Sequence, residues 1–177
     1  MQRVIDTRHR LADDPWQVHP TGAPIPDAGD WLFDLADWQS GAVGAALAAG
    51  RRGRNGLALA PDADLDTVAP VLADCALVAV HFPVATDGRG LSVASVLRRR
   101  LGWHGPMRAL GPLWRDQLFA LRRLGFDSFE LRETEDPAQA LSAFATFSDA
   151  YQASVDGLAP LVLRKLALLN DSAERTP

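Results

Sequence analysis

Cys75-Ala76-Leu77-Val78-Ala79-Val80-His81-Phe82, followed at once by Pro83-Val84-Ala85-Thr86-Asp87-Gly88-Arg89-Gly90-Leu91-Ser92, is the stretch that decides the fold class. The first eight residues are apolar on both faces of an extended chain, the pattern of a strand buried within a parallel sheet. The Asp-Gly-Arg-Gly segment reads as a turn. From Ser92 to Leu101, Val93, Val96, Leu97 and Leu101 fall at helical spacing, and Gly102 closes the run. Strand, glycine turn and helix together form the repeating unit of an α/β protein.

The same grammar continues on both sides. Upstream, Trp31-Leu32-Phe33 reads as a strand and Ala36 to Ala49 as a helix interrupted by Gly41 and Gly44, with Gly50 as its stop. Gly56 to Ala60 is a strand, Pro61 to Asp64 a turn and cap, and Leu65 to Leu72 a short helix. Downstream come a strand over Met107 to Leu110, an amphipathic helix over Leu113 to Leu124 stopped by Gly125, and a strand over Phe126 to Leu131. Asp136 and Pro137 then open a helix reaching Tyr151. Strands alternating with helices at this separation imply right-handed crossovers. The expected fold is therefore α/β, a mostly parallel sheet of four or five strands flanked by helices, either open or part of a barrel.

Three regions follow. Residues 1–28 are turn-rich, with Pro15, Pro20, Pro24 and Pro26 around two short strand-like runs, Arg3-Val4-Ile5 and Trp16-Gln17-Val18, so they are expected to form an N-terminal β hairpin or flap. Residues 29–152 carry the α/β core. Residues 153–177 form a helical tail with Leu158, Leu161, Val162, Leu166 and Leu169 at helical spacing, an element that can support a homodimer.

Composition narrows the function. The 177 residues are 47% hydrophobic, with no apolar run approaching the roughly 18 residues of a membrane span and no secretory leader, so a cytoplasmic protein without membrane attachment is expected. A net charge of -4 argues against a general nucleic-acid partner. Arg51-Arg52-Gly53-Arg54 and Arg98-Arg99-Arg100 read as solvated charge runs. One cysteine, Cys75, rules out internal disulfides and cysteine-ligated clusters, and inside its apolar run it reads as a buried side chain. Of the 18 basic residues only Lys165, in the tail, is lysine, which leaves no Schiff-base lysine or lysine-bearing phosphate loop near the core. His9, His19, His81 and His104 have no metal-ligand spacing, and no cofactor motif is present.

In a parallel sheet the strand C-termini point to one rim, so turns distant in sequence converge there. Pro61 and Asp62, then Thr86, Asp87, Gly88, Arg89, Gly90 and Ser92, then Gly111, Arg115 and Asp116, then Arg132 and Glu133 fall on it. Gly88 and Gly90 would allow unusual backbone angles and close approach to an anion, helped by a helix beginning near Ser92. Arg89 has two readings: a fork for an oxyanion, or a partner of Asp87 or Asp116. Asp116 is a helix-end cap or a general base. Arg132 at a strand exit is a better ligand candidate than Glu130 within the strand, and His81 is either a core residue or a proton-transfer group.

The segment from Phe82 to Ser92, Leu97-Arg98, Gly102, Arg108-Ala109-Leu110-Gly111, Arg115-Asp116-Gln117-Leu118 and Gly125-Phe126-Asp127-Ser128-Phe129-Glu130-Leu131 occur in an order and spacing that resembles a bacterial uncharacterised family. That family is labelled an oxidoreductase involved in sulfite reduction and is commonly encoded beside the sulfite reductase hemoprotein. The resemblance runs over residues 1–152. Leu124 stands where the family pattern has a cysteine, and the tail from Ala153 onward extends past the usual ending. The resemblance implies an accessory protein of assimilatory sulfite reduction, within sulfate assimilation and cysteine biosynthesis. It would act by binding sulfite reductase or a small oxyanion at the rim formed by Thr86, Asp87, Gly88, Arg89, Gly90, Ser92, Arg115, Asp116 and Arg132. The alternative it implies is a small cofactor-dependent oxidoreductase with its site at the same rim.

Overall fold

The computed structural model describes residues 3–7, 13–145, 153–156 and 160–164. Strand β1 spans Arg3–Asp6, β2 Trp16–Val18, β3 Asp30–Asp34, β4 Asn55–Leu59, β5 Leu77–His81, β6 Met107–Leu113 and β7 Ser128–Leu131. They form one seven-stranded sheet in the order β1-β7-β6-β5-β4-β3-β2. Helices α1 (Leu35–Gln39), α2 (Ala42–Ala48), α3 (Ala69–Leu72), α4 (Arg89–Arg99), α5 (Leu118–Arg123) and α6 (Pro137–Ser142) connect or follow the strands. The expected helix over 36–49 is two helices, because Gly41 turns the chain at φ 79°, a left-handed angle that glycine adopts without a Cβ clash.

The α/β class holds, with two corrections. The sheet has seven strands rather than four or five, and it is mixed, since β1 runs antiparallel to β7 while the remaining pairs are parallel. The N-terminal hairpin does not form: β1 and β2 sit at opposite edges of the sheet. Each gains more by extending an edge than by pairing with its sequence neighbour, because an edge supplies both a ladder and a core. Val4 and Ile5 are 1% and 0% exposed beside β7, and Trp16 is 7% exposed beside β3.

From β2 to β7 each strand lies beside its sequence neighbour. Right-handed crossovers then place successive helices on one side of the sheet. The packing agrees: Trp38, Val43, Leu72, Leu97, Leu121 and Ala140, from six helices, share a core with Phe33, Leu57, Val78, Ala109 and Phe129 of the strands. The opposite face carries Trp16, Leu32, Leu77, Ala79 and Leu110. The strand order never reverses among these six strands, so no crevice opens inside the sheet at a switch point, and ligands are left with the rim.

The chain leaves β1 at one edge and enters β2 at the other. It is anchored near the end of that passage by Asp14, whose carboxylate accepts two bonds from the Arg108 guanidinium on β6, at 2.7 and 2.8 Å. Arg108 Nε also donates to Ser128 Oγ at 3.1 Å. Both charged side chains of the pair are 6% exposed. Arg108 alternates with Ala109 along β6 and so faces away from the helices.

Of the helix expected to reach Tyr151, α6 and a following 3-10 turn (Ala143–Ala145) are described, and residues 146–152 lie outside the described residues. Of the tail, residues 161–164 form one helical turn with Val162 and Leu163 exposed, while Leu158, Lys165, Leu166 and Leu169 lie outside the described residues, as does His9. No described helix is long and apolar enough to cross a membrane.

Candidate functional site

The turn after β5 closes on itself. Arg89 donates through Nε to Asp87 Oδ1 at 3.0 Å and through Nη2 to Asp87 Oδ2 at 2.7 Å, and its backbone N–H reaches Asp87 Oδ1 at 3.1 Å. The side-chain bond from Arg89, then the backbone one, hold the Asp87 carboxyl below its usual range. Helix α4 therefore starts at Arg89, three residues before Ser92. Asp87 serves its first free N–H, and Ser92 lies exposed on the first turn.

The two glycines are not used as expected. Gly88 has φ -77°, an angle open to any residue. Gly90 is buried on α4, where an added Cβ would come within 2.6 Å of the Phe82 ring. Its role is close packing of α4 on the end of β5. The glycine that requires its backbone freedom is Gly111, at φ 125°, where a Cβ would sit 2.2 Å from the Phe82 carbonyl oxygen. A register irregularity between Ala109 and Leu113 carries Gly111 and Pro112 inside β6, and the Gly111 N–H is taken by the Glu130 carboxylate at 2.9 Å. Glu130 thus supports this bulge from β7.

Gln117, part of the Arg115-Asp116-Gln117-Leu118 motif but not among the expected rim ligands, ties two rim loops together. Its Oε1 accepts from the Trp114 N–H at 3.0 Å, and its Nε2 donates to the Ala85 carbonyl at 2.7 Å. One side chain thus fixes the β5–α4 loop against the β6–α5 loop. Between them lies a cavity of about 250 Å³ lined by Phe82, Ala85, Thr86, Asp87, Gly88, Leu91, Gln117, Ala120 and Leu121. Leu91 of its lining is 36% exposed, and on the two loops that bound it Val84 is 55% and Trp114 46% exposed.

Arg115 and Asp116 occupy an exposed 3-10 turn (Arg115–Gln117) ahead of α5, with no ion pair to each other. Arg132 projects from the end of β7 and holds its guanidinium carbon 5.5 Å from the Trp114 ring centroid. Among the described residues neither Arg115 nor Arg132 has a carboxylate partner. Asp62, from the turn after β4, is close enough to bias Arg89 electrostatically. The rim thus brings Asp62, Asp87 and Arg89 into one neighbourhood and Trp114, Arg115 and Arg132 into another.

Of the other reactive groups, Cys75 and His19 are engaged within the fold. Cys75 donates to the Val71 carbonyl at 3.1 Å, and burial pushes its thiol up to about 12, so the nucleophilic thiolate is scarce at neutral pH. His81 is exposed at the end of β5. His19, after β2, is buried: Nδ1 lies 2.8 Å from Asp37 Oδ2, and Nε2 lies 3.3 Å from the Pro24 carbonyl. Asp37 also accepts from the Gly22 N–H at 3.1 Å. With its ring 1% exposed and both nitrogens engaged, His19 pins the loop before β3 rather than meeting a substrate. Among the described residues no group of three or more His, Cys, Asp or Glu is placed to hold a metal ion.

Two larger cavities lie elsewhere. One of about 510 Å³ sits beside Asp34, Gln39, Asp64 and Thr67, where Gln39 Nε2 donates to Thr67 Oγ1 at 2.8 Å. Another, of about 620 Å³, lies beside Arg98, His104 and Asp127. Arg98 there donates to the carbonyls of Trp103, Gly105 and Gly125, and so organises backbone.

The fold and rim define an α/β domain with consecutive parallel strands, an antiparallel strand at one edge, and a surface built from strand-to-helix loops. Residues 56–162 match the model of a family described as bacterial protein of unknown function (DUF934), and the chain belongs to that family. The match starts at β4 and includes each of the rim loops described above, whereas β1, β2 and β3 precede it. No curated protein matches the sequence.

Proposed function

We propose that this protein is an accessory protein of assimilatory sulfite reduction that works by binding a protein partner, the reductase itself, through the rim. The pathway rests on the resemblance of residues 1–152 to the sulfite-reduction family. The mode of action rests on one observation: the loops knitted by Gln117 bound an apolar cavity and, with the first turn of α4, expose Val84, Leu91 and Trp114 to solvent. Exposed apolar side chains grouped on rigid loops are the usual material of a protein contact. The oxyanion reading is less well supported, because of the two readings of Arg89 its side chain follows the pairing with Asp87.

The test pairs a gene deletion with a direct binding assay. A deletion strain should grow poorly with sulfate or sulfite as sole sulfur source and recover with the wild-type gene, but not with Trp114→Ser. Purified wild-type protein should bind sulfite reductase, and the variant should not. Full growth without the gene, or absence of binding, refutes the proposal. Sulfite and sulfate should leave the melting temperature unchanged. An oxyanion at about 100 times its Kd would stabilise by about 2.7 kcal/mol, and such a shift, lost in Arg89→Ala, would move the function to anion binding.

A further inference from the structure

The cations around Trp114 specify the partner more closely. We infer that the rim docks an acidic protein segment carrying an apolar anchor residue. The inference rests on the binding function proposed above and adds the chemistry of what is bound. Trp114 is 46% exposed, Arg132 lies over its ring at 5.5 Å, and Arg115 is its immediate neighbour. Both guanidiniums lack a carboxylate partner among the described residues, whereas Arg54, Arg89, Arg98, Arg100, Arg108 and Arg123 each have one.

Arg51, Arg52, Arg99 and Arg122 also lack a carboxylate partner among the described residues but lie on other elements, whereas Arg115 and Arg132 fall beside the most exposed described tryptophan. An arginine poised on an aromatic face keeps its N–H edge available for a carboxylate, so stacking and pairing can operate together. The cavity of about 250 Å³ beside Leu91 and Gln117 is of a size for one large apolar side chain. A segment with Leu or Phe in the cavity and Asp or Glu toward Arg115 and Arg132 satisfies both features. Asp116 opposes it, being an exposed carboxylate one residue from Arg115, and this gives the inference a signed test.

The experiment uses the full chain and an array of short immobilised peptides, each with a central Leu or Phe flanked by Asp and Glu, by Asn and Gln, or by Lys and Arg. The acidic series should bind most strongly and weaken with added salt. Trp114→Ser should reduce that binding by about 30-fold or more, as loss of a central tryptophan does. The pair Arg115→Ser and Arg132→Ser should remove the preference for acidic over neutral peptides, while Asp116→Asn should strengthen acidic binding. These side chains are exposed or half-buried, and unchanged circular dichroism would establish that the variants fold. Equal binding of neutral peptides, preference for basic ones, no binding in any series, or indifference to Asp116→Asn overturns the inference. The function proposed above fails separately: peptide binding with no growth dependence refutes the sulfite role alone, and reductase binding insensitive to Arg115 and Arg132 refutes this inference alone.

Discussion

Replacing Asp14 by Asn should be among the most damaging polar substitutions in the chain, although Asp14 lies in a turn-rich segment with no sequence motif. The Arg108 guanidinium is 6% exposed and directs Nη1 and Nη2 at the two Asp14 oxygens, at 2.7 and 2.8 Å. An amide at position 14 removes the countercharge and supplies one acceptor where two are needed. Breaking one side of a buried pair costs about 3–5 kcal/mol, because the remaining charge stays desolvated. For a domain of this size that corresponds to a fall of about 6–20 °C in Tm. Asp66→Asn is the internal control. Its pair with Arg100 has a similar length, 2.9 Å, but side chains 56% and 81% exposed, and exposed pairs contribute about 0–1 kcal/mol.

The assay is urea and thermal unfolding followed by far-ultraviolet circular dichroism, on Asp14→Asn, Arg108→Met, the double variant and the control. The double variant should recover part of the loss, since two apolar or neutral groups leave no unpaired charge. A loss at Asp14 no larger than that at Asp66, or strictly additive single losses, would refute the claim that this pair fastens the N-terminal segment across the sheet.

Other perturbations test separate parts of the structure. Gly111→Ala forces a Cβ to 2.2 Å from the Phe82 carbonyl at a φ of 125°, so unfolding should show a loss of at least about 2 kcal/mol, whereas Gly88→Ala, with open space and an ordinary φ, should be near neutral. His19→Ala removes the ring between Asp37 and Pro24 and should cost about 2–4 kcal/mol by chemical denaturation. Cys75 should resist alkylation at neutral pH until the protein is unfolded, as mass spectrometry would record. Its thiol is raised by burial from 9.0 to about 12, so the folded state holds the proton more tightly. The resulting stabilisation is fully present below pH 9.0 and is lost as pH rises toward about 12; Cys75→Ala should flatten that alkaline limb of the stability profile.

The parts of the fold visible in the sequence are those decided within a few residues. The two-sided apolar run before Phe82 identifies β5, and alternating strands and helices identify the class. Both N-terminal strands are legible as strands, but their partners are not: Ile5 pairs with Phe129, and Asp14 with Arg108 across 94 residues. Local pattern favours a hairpin, and only the tertiary structure supplies the edges that outcompete it. Likewise Gly111-Pro112 reads as the end of a strand, yet Glu130 from a neighbouring strand accepts the Gly111 N–H and carries β6 on to Leu113. The helix start at Ser92 follows a sound capping rule, overridden here because Asp87 offers its carboxylate to the Arg89 N–H earlier in the chain.

The rim was legible as a place, because every parallel strand delivers its following loop to the same end, but its chemistry was not. Asp87 and Arg89 stand out in sequence and satisfy one another in space. Gln117 and Trp114 look like ordinary members of an amphipathic helix, and they acquire meaning only when α5 begins late, at Leu118, with a 3-10 turn ahead of it. That late start lets Gln117 reach back to Ala85 and leaves Trp114 outside the helix, half exposed under Arg132. The side chain that fixes the loops and the side chains that face solvent therefore arise from the same local departure from a regular helix. An exposed tryptophan beside two cations that have no carboxylate partner among the described residues is the physical ground for proposing this end of the sheet as a place where another protein binds.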